Sequence, residues 1–423
     1  MGKEWRTGGE PFVVEAGLVW RAWGKVRSNR GAPGVDGQES DGFEEGLEDD
    51  LCKLWDRMSS GSYFPKPVRG VGMPKADGTT RMLGAPTVAG RVAQTVAALV
   101  LEADLESIFV DDSYGFRPGR GALGAVAVAR DRCREFDWVV DLDIAKFFDT
   151  VDHGLLMEAL EWRDPPAWVV LFVRRWITAP MVMPGGEGVE RRAGTPQGGP
   201  ISPVLANLFL HVVFDLWMGR EFPDVRFERY ADDVICRCRT RRRAAGLVEA
   251  VTGRLAECGP RAHPDKTKVV CCKDSGRGGG LPPGVVSKFT FLGFEFRART
   301  CRSRATGRLF DRFGPGVDPV ELKKMRETVH GWRLHRQVGA RPSDIARFVN
   351  RRVWAWCGYY GAFRPSELKG LLRQVNAAVL RWMRNKYRRH RPWRRAVRQW
   401  EHMVAHHPSW LRHWRIETGL ISL

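Results

Sequence analysis

The sequence predicts an α+β fold followed by an all-helical C-terminal part, and three observations carry that reading. Segment 138–144 (WVVDLDI) alternates, with Val139, Asp141 and Asp143 on one face and Val140, Leu142 and Ile144 on the other. That is the period of a half-buried strand. Segments 225–230 and 234–238 are short β-like runs around Ala231-Asp232-Asp233, which reads as a hairpin with acids at its turn. From about residue 318 the period becomes helical. Leu322, Met325, Val329 and Trp332 share one face, as do Leu368, Leu371, Leu372, Val375, Val379 and Trp382.

The remaining elements follow in order. An amphipathic N-terminal segment leads into a Gly-rich turn at 31–37 (GAPGVDG). Residues 183–200 form a Gly- and Pro-rich loop. Segment 203–217 (PVLANLFLHVVFDLW) begins with Pro after Ser202, the pattern of a capped helix start. Residues 274–284 are the clearest break, and 289–296 (FTFLGFEF) is a strand candidate. Arg381, Arg384 and Arg388 line the side of this later helix opposite its apolar stripe, which packs Trp382 into the core. No internal repeat of 20–50 residues is present.

Charge restricts the partner. The net charge is +19 and the pI about 10.0. Residues 297–423 hold 29 Lys and Arg against 8 Asp and Glu, a net of +21, which leaves −2 for the first 296. A block this large and single-signed implies a polyanion, most simply nucleic acid. No run approaches 18 apolar residues, so no membrane partner is expected. The N-terminus lacks the apolar core of a secretory signal. Nine cysteines include no C-x-x-C pair. A reduced, cytoplasmic chain with free thiols is expected.

Carboxylates converging from neighbouring strands would repel each other unless cations intervened. Mg²⁺ suits a few carboxylates plus substrate phosphates, and two ions about 3.5–4 Å apart can clamp an in-line phosphoryl transfer. An Asp-Asp turn is also common in hairpins for structural reasons alone. The company the acids keep decides between the two. Residues 29–37 (NRGAPGVDG), 61–91, 113–120 (SYGFRPGR), 138–153 (WVVDLDIAKFFDTVDH), 194–208 (GTPQGGPISPVLANL), 229–235 (RYADDVI), 263–269 (HPDKTKV) and 289–294 (FTFLGF) stand in this order. Together they resemble the N-terminal extension, fingers and polymerase motifs A to E of the group II intron-encoded reverse transcriptase and maturase family. Residues 347–390 and 406–414 (HHPSWLRHW) resemble its maturase region.

The resemblance implies a right-hand polymerase. Residues 1–60 would form the N-terminal extension and start of the fingers, 61–137 the fingers and 138–296 the palm. Residues 297–390 would form an all-helical thumb, or maturase X domain, and 391–423 a basic segment that binds DNA or RNA. Asp143, Asp232 and Asp233 would be catalytic. They and the Ile144 carbonyl would hold two Mg²⁺ ions. Lys75, Arg81, Phe148, Gln197, Ala231 and either Lys266 or Lys268 would line the nucleotide site. Phe148, five residues after Asp143, would exclude ribonucleotides sterically; it is also readable as a core residue beside Phe147. Arg69 would touch template, and Arg381, Arg384, Lys386, Arg388 and Arg389 would bind RNA.

The implied activity is RNA-directed DNA synthesis joined to assistance of intron splicing and retrohoming. The partners would be intron RNA, an RNA template with DNA primer, dNTPs and target DNA. No Cys- and His-rich endonuclease segment follows Trp414, so target cleavage by this chain is not expected. The alternative is a domesticated reverse transcriptase serving repair, defence or spacer acquisition. A non-enzymatic splicing factor with a vestigial palm is disfavoured by the full acid set.

Overall fold

A computed structural model describes residues 11–29, 31–74, 78, 80–272, 281–303 and 305–414. The chain divides into two units, residues 1–121 with 140–268, and residues 122–139 with 269–423.

In the first unit, helix Ala16–Asn29 buries Leu18, Val19, Ala22, Trp23 and Val26 and packs on helix Val88–Leu105. The latter starts where the Thr87 hydroxyl accepts the Gly90 N–H at 3.0 Å, an N-cap that satisfies one open donor. Strands Val68–Pro74 and Thr80–Ala85 pair antiparallel, with Arg69 opposite Ala85. Residues 140–142 of strand Trp138–Leu142, then strands Asp233–Cys238 and Arg226–Tyr230, lie side by side in that order. The hairpin closes with Tyr230 opposite Asp233. The expected helix after Ser202 is present as Ser202–Leu210, a π-helical turn His211–Asp215 and helix Leu216–Glu221. Ser202 does not cap it, because its hydroxyl donates to the Pro196 carbonyl oxygen at 2.7 Å. By length and composition, the stretch Ser202–Glu221 is apolar enough to cross a membrane. Within this unit 72% of its most apolar window is buried, which accounts for that character.

In the second unit, helix Ala122–Arg132 packs on a three-stranded antiparallel sheet, Phe289–Phe291, Phe294–Arg302 and Leu309–Val317. Helices Pro319–Gly331, Pro342–Tyr360, Lys369–Lys386 and Trp393–His406 follow. Their shared core holds Val329, Val353, Leu372, Val379, Trp382 and Trp414.

Three expectations are corrected. The single strand read at 289–296 is a tight hairpin, since Leu292 (φ +51°) and Gly293 (φ +76°) both take the left-handed backbone that a two-residue primed turn requires. Residues from 297 are not all helical; the sheet runs to Val317, and helices begin at Pro319. Residues 391–414 are not a separate segment, because Ala396, Leu411 and Trp414 are buried in the same core as Trp382.

Trp382 is 1% exposed and its indole N–H donates to the Gln337 carbonyl oxygen at 2.8 Å. Trp382→Ala should therefore cost about 3–5 kcal/mol of stability in urea denaturation. A loss below about 1 kcal/mol would return Trp382 to the surface as a stacking residue.

Candidate active site

The acidic hairpin is the structural centre of the first unit. Its two-residue turn needs a left-handed backbone at the first position, and Ala231 takes it with φ +55°. A non-glycine residue there is disfavoured sterically, so the turn depends on what surrounds it. Gly115 lies so close that a Cβ would fall 2.4 Å from the Ala231 nitrogen. Only glycine fits there. The Gly115 carbonyl oxygen accepts from Asn207 Nδ2 at 2.6 Å, and Asn207 Oδ1 accepts from Arg229 Nη1 at 3.0 Å. Arg229 Nη1 also donates to the Ala231 carbonyl oxygen at 3.3 Å.

Arg229 is completely buried and pairs with Asp215 through two bonds, Nε to Oδ1 at 2.8 Å and Nη2 to Oδ2 at 2.6 Å. Desolvation pushes the Asp215 carboxyl up, but the charge and hydrogen bonds of Arg229, with His211 beside it, outweigh this and hold it below the usual carboxylate range. Asp215 closes the π-helical turn, whose extra residue re-aims side chains along the helix.

Asp143 is fixed from the other side. The His263 N–H donates to the Asp143 carbonyl oxygen at 2.7 Å, and the Asp143 N–H donates to Thr267 Oγ1 at 3.4 Å. Ile144 is buried and pairs with Ala262. The segment that clamps Asp143 also carries Lys266, whose Nζ lies 3.8 Å from Asp143 Oδ2. Lys268 instead acts electrostatically on Asp141.

The acids crowd one another. Desolvation raises Asp232, and Asp143 adds to the effect while Arg81 opposes it. Desolvation, then the charges of Asp232 and Asp143, push Asp233 up to about 6. Asp141 is pushed up to about 7, chiefly by desolvation; Lys268 counters, and Asp233 and Asp143 add to the rise. This is the electrostatics of a site short of positive charge. Among the described residues no three carboxylates, imidazoles or thiols form a complete ligand set on their own. Two carboxylates completed by substrate phosphates is the donor set that suits a hard divalent cation.

Arg81 Nε donates to Gln197 Oε1, and Gln197 Nε2 donates to Asp149 Oδ1 at 3.2 Å. The loop carrying Gln197 is pressed against the strand of Arg81, since a Cβ on Gly198 (φ +116°) would fall 2.6 Å from the Gly84 carbonyl oxygen. Phe147 is buried at 1%, whereas Phe148 is half-buried with its ring centroid 5.4 Å away. Ala231 is buried at 4%, so its part is to shape the turn rather than to line open space. Arg69 lies on the strand opposite Ala85 and beside Val182. Lys75 lies outside the described residues.

In the second unit, Arg381, Arg388 and Arg389 are exposed. Arg384 donates twice to the Arg391 carbonyl oxygen, at 3.0 and 2.8 Å, and Lys386 donates to the Val338 carbonyl oxygen at 2.8 Å. Those two cations, half-buried, are thus also tied into the packing of their own unit.

Reading the sequence missed Asp215, Arg229, Asn207, Asp149 and Thr267. Asp215 carried a usable signal. A lone Asp in an apolar helix demands a buried partner.

Residues 73–296 match the family model for reverse transcriptase (RNA-dependent DNA polymerase), and residues 322–401 the group II intron, maturase-specific domain. Protein YkfC of Escherichia coli is 32% identical over 317 residues, 65% of this chain and 79% of YkfC. The group II intron-encoded protein LtrA of Lactococcus lactis is 29% identical over 203 residues, 47% of this chain and 33% of LtrA. The putative COX1/OXI3 intron 1 protein of Saccharomyces cerevisiae is 27% identical over 203 residues, 48% of this chain and 24% of that protein. The aligned part thus spans most of YkfC but a third or less of the two intron proteins.

Asp215→Asn would leave Arg229 charged and buried without its counter-ion, at an expected cost of about 3–5 kcal/mol in denaturant unfolding. The double change Arg229→Met with Asp215→Leu should recover part of that loss; no recovery would mean that the pair acts through shape alone. A second expectation concerns pH. Asp233 and Asp141 bind protons more readily folded than unfolded. The stability this lends is full below about pH 4. It is lost as the pH rises through about 6 for Asp233 and about 7 for Asp141. Urea titrations from pH 4 to 8 without divalent ions should show the decline, and Asp141→Asn should flatten it. An identical decline in that variant would remove Asp141 from the crowded set.

Proposed function

The chain belongs to the reverse transcriptase (RNA-dependent DNA polymerase) family, and from that premise we propose that it is a group II intron-encoded polymerase and maturase that copies intron RNA into DNA. The observation that carries this reading is the two-residue hairpin turn before Asp233 together with the held Asp143 and the lysine beside it, in a chain that also holds a maturase-specific domain.

Asp143 and Asp232 would hold two Mg²⁺ ions, with Asp233 and the Ile144 carbonyl beside them. When bound, the ions would supply charge neutralisation at the reacting phosphate. The chain's own residues do the positioning, which is the larger part of such catalysis. The primer 3′-hydroxyl attacks the α-phosphate of a dNTP, and pyrophosphate leaves. Arg81 and Lys75 would face the triphosphate; Gln197, held by Asp149, would orient Arg81 and meet the incoming nucleotide. The half-buried ring of Phe148 is the group to exclude a 2′-hydroxyl. Of the two lysines, Lys266 is the one beside Asp143 and is assigned to the departing phosphate, while Lys268 counters Asp141. Arg69 would touch the template. Exposed Arg381, Arg388 and Arg389 would contact intron RNA, and target DNA would follow as the integration partner.

Asp232→Ala should lower primer extension on an RNA template at least about a hundredfold while sparing RNA binding. Retained synthesis would overturn the acid assignment. RNA transcribed from the gene's own flanks, incubated at low Mg²⁺, should be excised only when protein is added. Excision independent of protein would leave a polymerase without a maturase role.

A further inference from the structure

A cavity of about 650 Å³ opens in the C-terminal unit between helix Pro319–Gly331, the short turn Leu334–Arg336 and helix Lys369–Lys386. Its wall carries Arg326, Arg333, Arg336 and Arg381 against one carboxylate, Glu327. That carboxylate already has Lys323 at 3.9 Å. Among the described residues, none of the four guanidinium groups has a hydrogen-bond or ion-pair partner. Neighbouring cations do: Arg384 and Lys386 are tied to backbone carbonyls. The lining also holds accessible apolar surface at Ala377 and Ala378, backed by the buried Val329 and Leu334. Arg333 sits in left-handed backbone, φ +45°, at the edge of this cavity. Such a conformation is disfavoured for a non-glycine residue and is a pointer to function when the surroundings impose it.

An ordinary basic helix face is convex and spreads its charges into water. Here four unpaired, exposed cations line one concavity whose size falls in the range of small-ligand sites. They repel one another until an anion enters. An inorganic phosphate has no use for the apolar surface, and a duplex presents no flat face to it. A single nucleotide uses both. Its base can lie on the Ala377–Ala378 surface or against a guanidinium plane, Gln374 can meet the base edge, and the phosphate can be held by arginine.

We propose that this cavity is a binding site for one phosphorylated nucleoside, supplied by a nucleotide extruded from bound RNA. The proposal rests on the reading of RNA as this chain's partner, and the source is separable by experiment from a free nucleotide.

The test uses the full chain, without dNTPs, and two RNA hairpins that differ by one bulged 2-aminopurine. The bulged hairpin should bind about tenfold more tightly, with a fluorescence change, which is the yield of one good charged contact. The double variant Arg326→Ala with Arg336→Ala alters two exposed residues and should erase that preference; thermal unfolding checks that it folds. Adenosine monophosphate is titrated in parallel. Saturable binding that the double variant loses, without a bulge preference, would keep the cavity as a nucleotide site and make the free nucleotide its ligand. Equal affinity for both hairpins with no nucleotide binding, or a preference that survives the double variant, overturns the proposal. Primer extension on the same preparations keeps the two readings apart: a chain that polymerises but captures no nucleotide loses only the cavity, and one that captures the bulge but does not polymerise loses only the polymerase.

Discussion

The buried pair of Arg229 and Asp215 is the constraint on which the rest of the site depends. A two-residue turn with a left-handed alanine is not a low-energy conformation by itself. It persists because Arg229 donates to the Ala231 carbonyl oxygen from one side and Gly115 closes over the Ala231 nitrogen from the other. Asn207 joins the two by bonding both Gly115 and Arg229. The bonds to Ala231 and Asn207 require Arg229 to stay fixed in the core. A guanidinium without water is costly unless its counter-ion is ideally placed, and both bonds to Asp215 have that geometry. The π-helical turn is the backbone device that brings Asp215 to it.

Beneath the rigid turn, the chain keeps Asp141, Asp143, Asp232 and Asp233 within one another's fields. The Asp143 backbone is held by the His263 N–H on its carbonyl oxygen and by its own N–H on the Thr267 hydroxyl. Burial is the main reason that Asp232 and Asp233 hold protons more readily, and the neighbouring acids add to it. Rigid crowding of this kind favours a cation that takes few protein ligands and leaves room for substrate oxygens. Fold and chemistry meet at this point: the stability that the acids give up is what makes the site select positive charge.

Much of this was legible in the sequence. The alternation at 138–144 and the paired runs around Asp232 located both acidic strands, and the helical period placed Trp382 in the core. What failed has physical reasons. At 294–302 three arginines, one of them buried, interrupt the apolar alternation and mask the strand; its partner strand, 309–317, contains Gly and Pro, which weaken strand propensity. At Leu292 a residue poorly suited to left-handed backbone occupies the turn, so Gly293 alone was left to signal the hairpin. Partnerships across long separations, such as Asp215 with Arg229, have no period at all. Only the cost of burying a lone charge hints at them.

Composition also overstated how much of the C-terminal charge is free. Arg384 and Lys386 close backbone carbonyls, and Arg299 is buried against Glu295 and Glu367. A count of cations treats these as equal to Arg326 or Arg381. In physical terms they differ, because a cation already holding a carbonyl or carboxylate has fewer donors left and a fixed orientation in which to meet a phosphate. The cations that carry affinity are those with no partner and a shape around them. The net charge predicts that a polyanion binds. The distribution of unpaired guanidinium groups points to where on the second unit it does so, and that distribution follows from which arginines the packing of its helices has left unused.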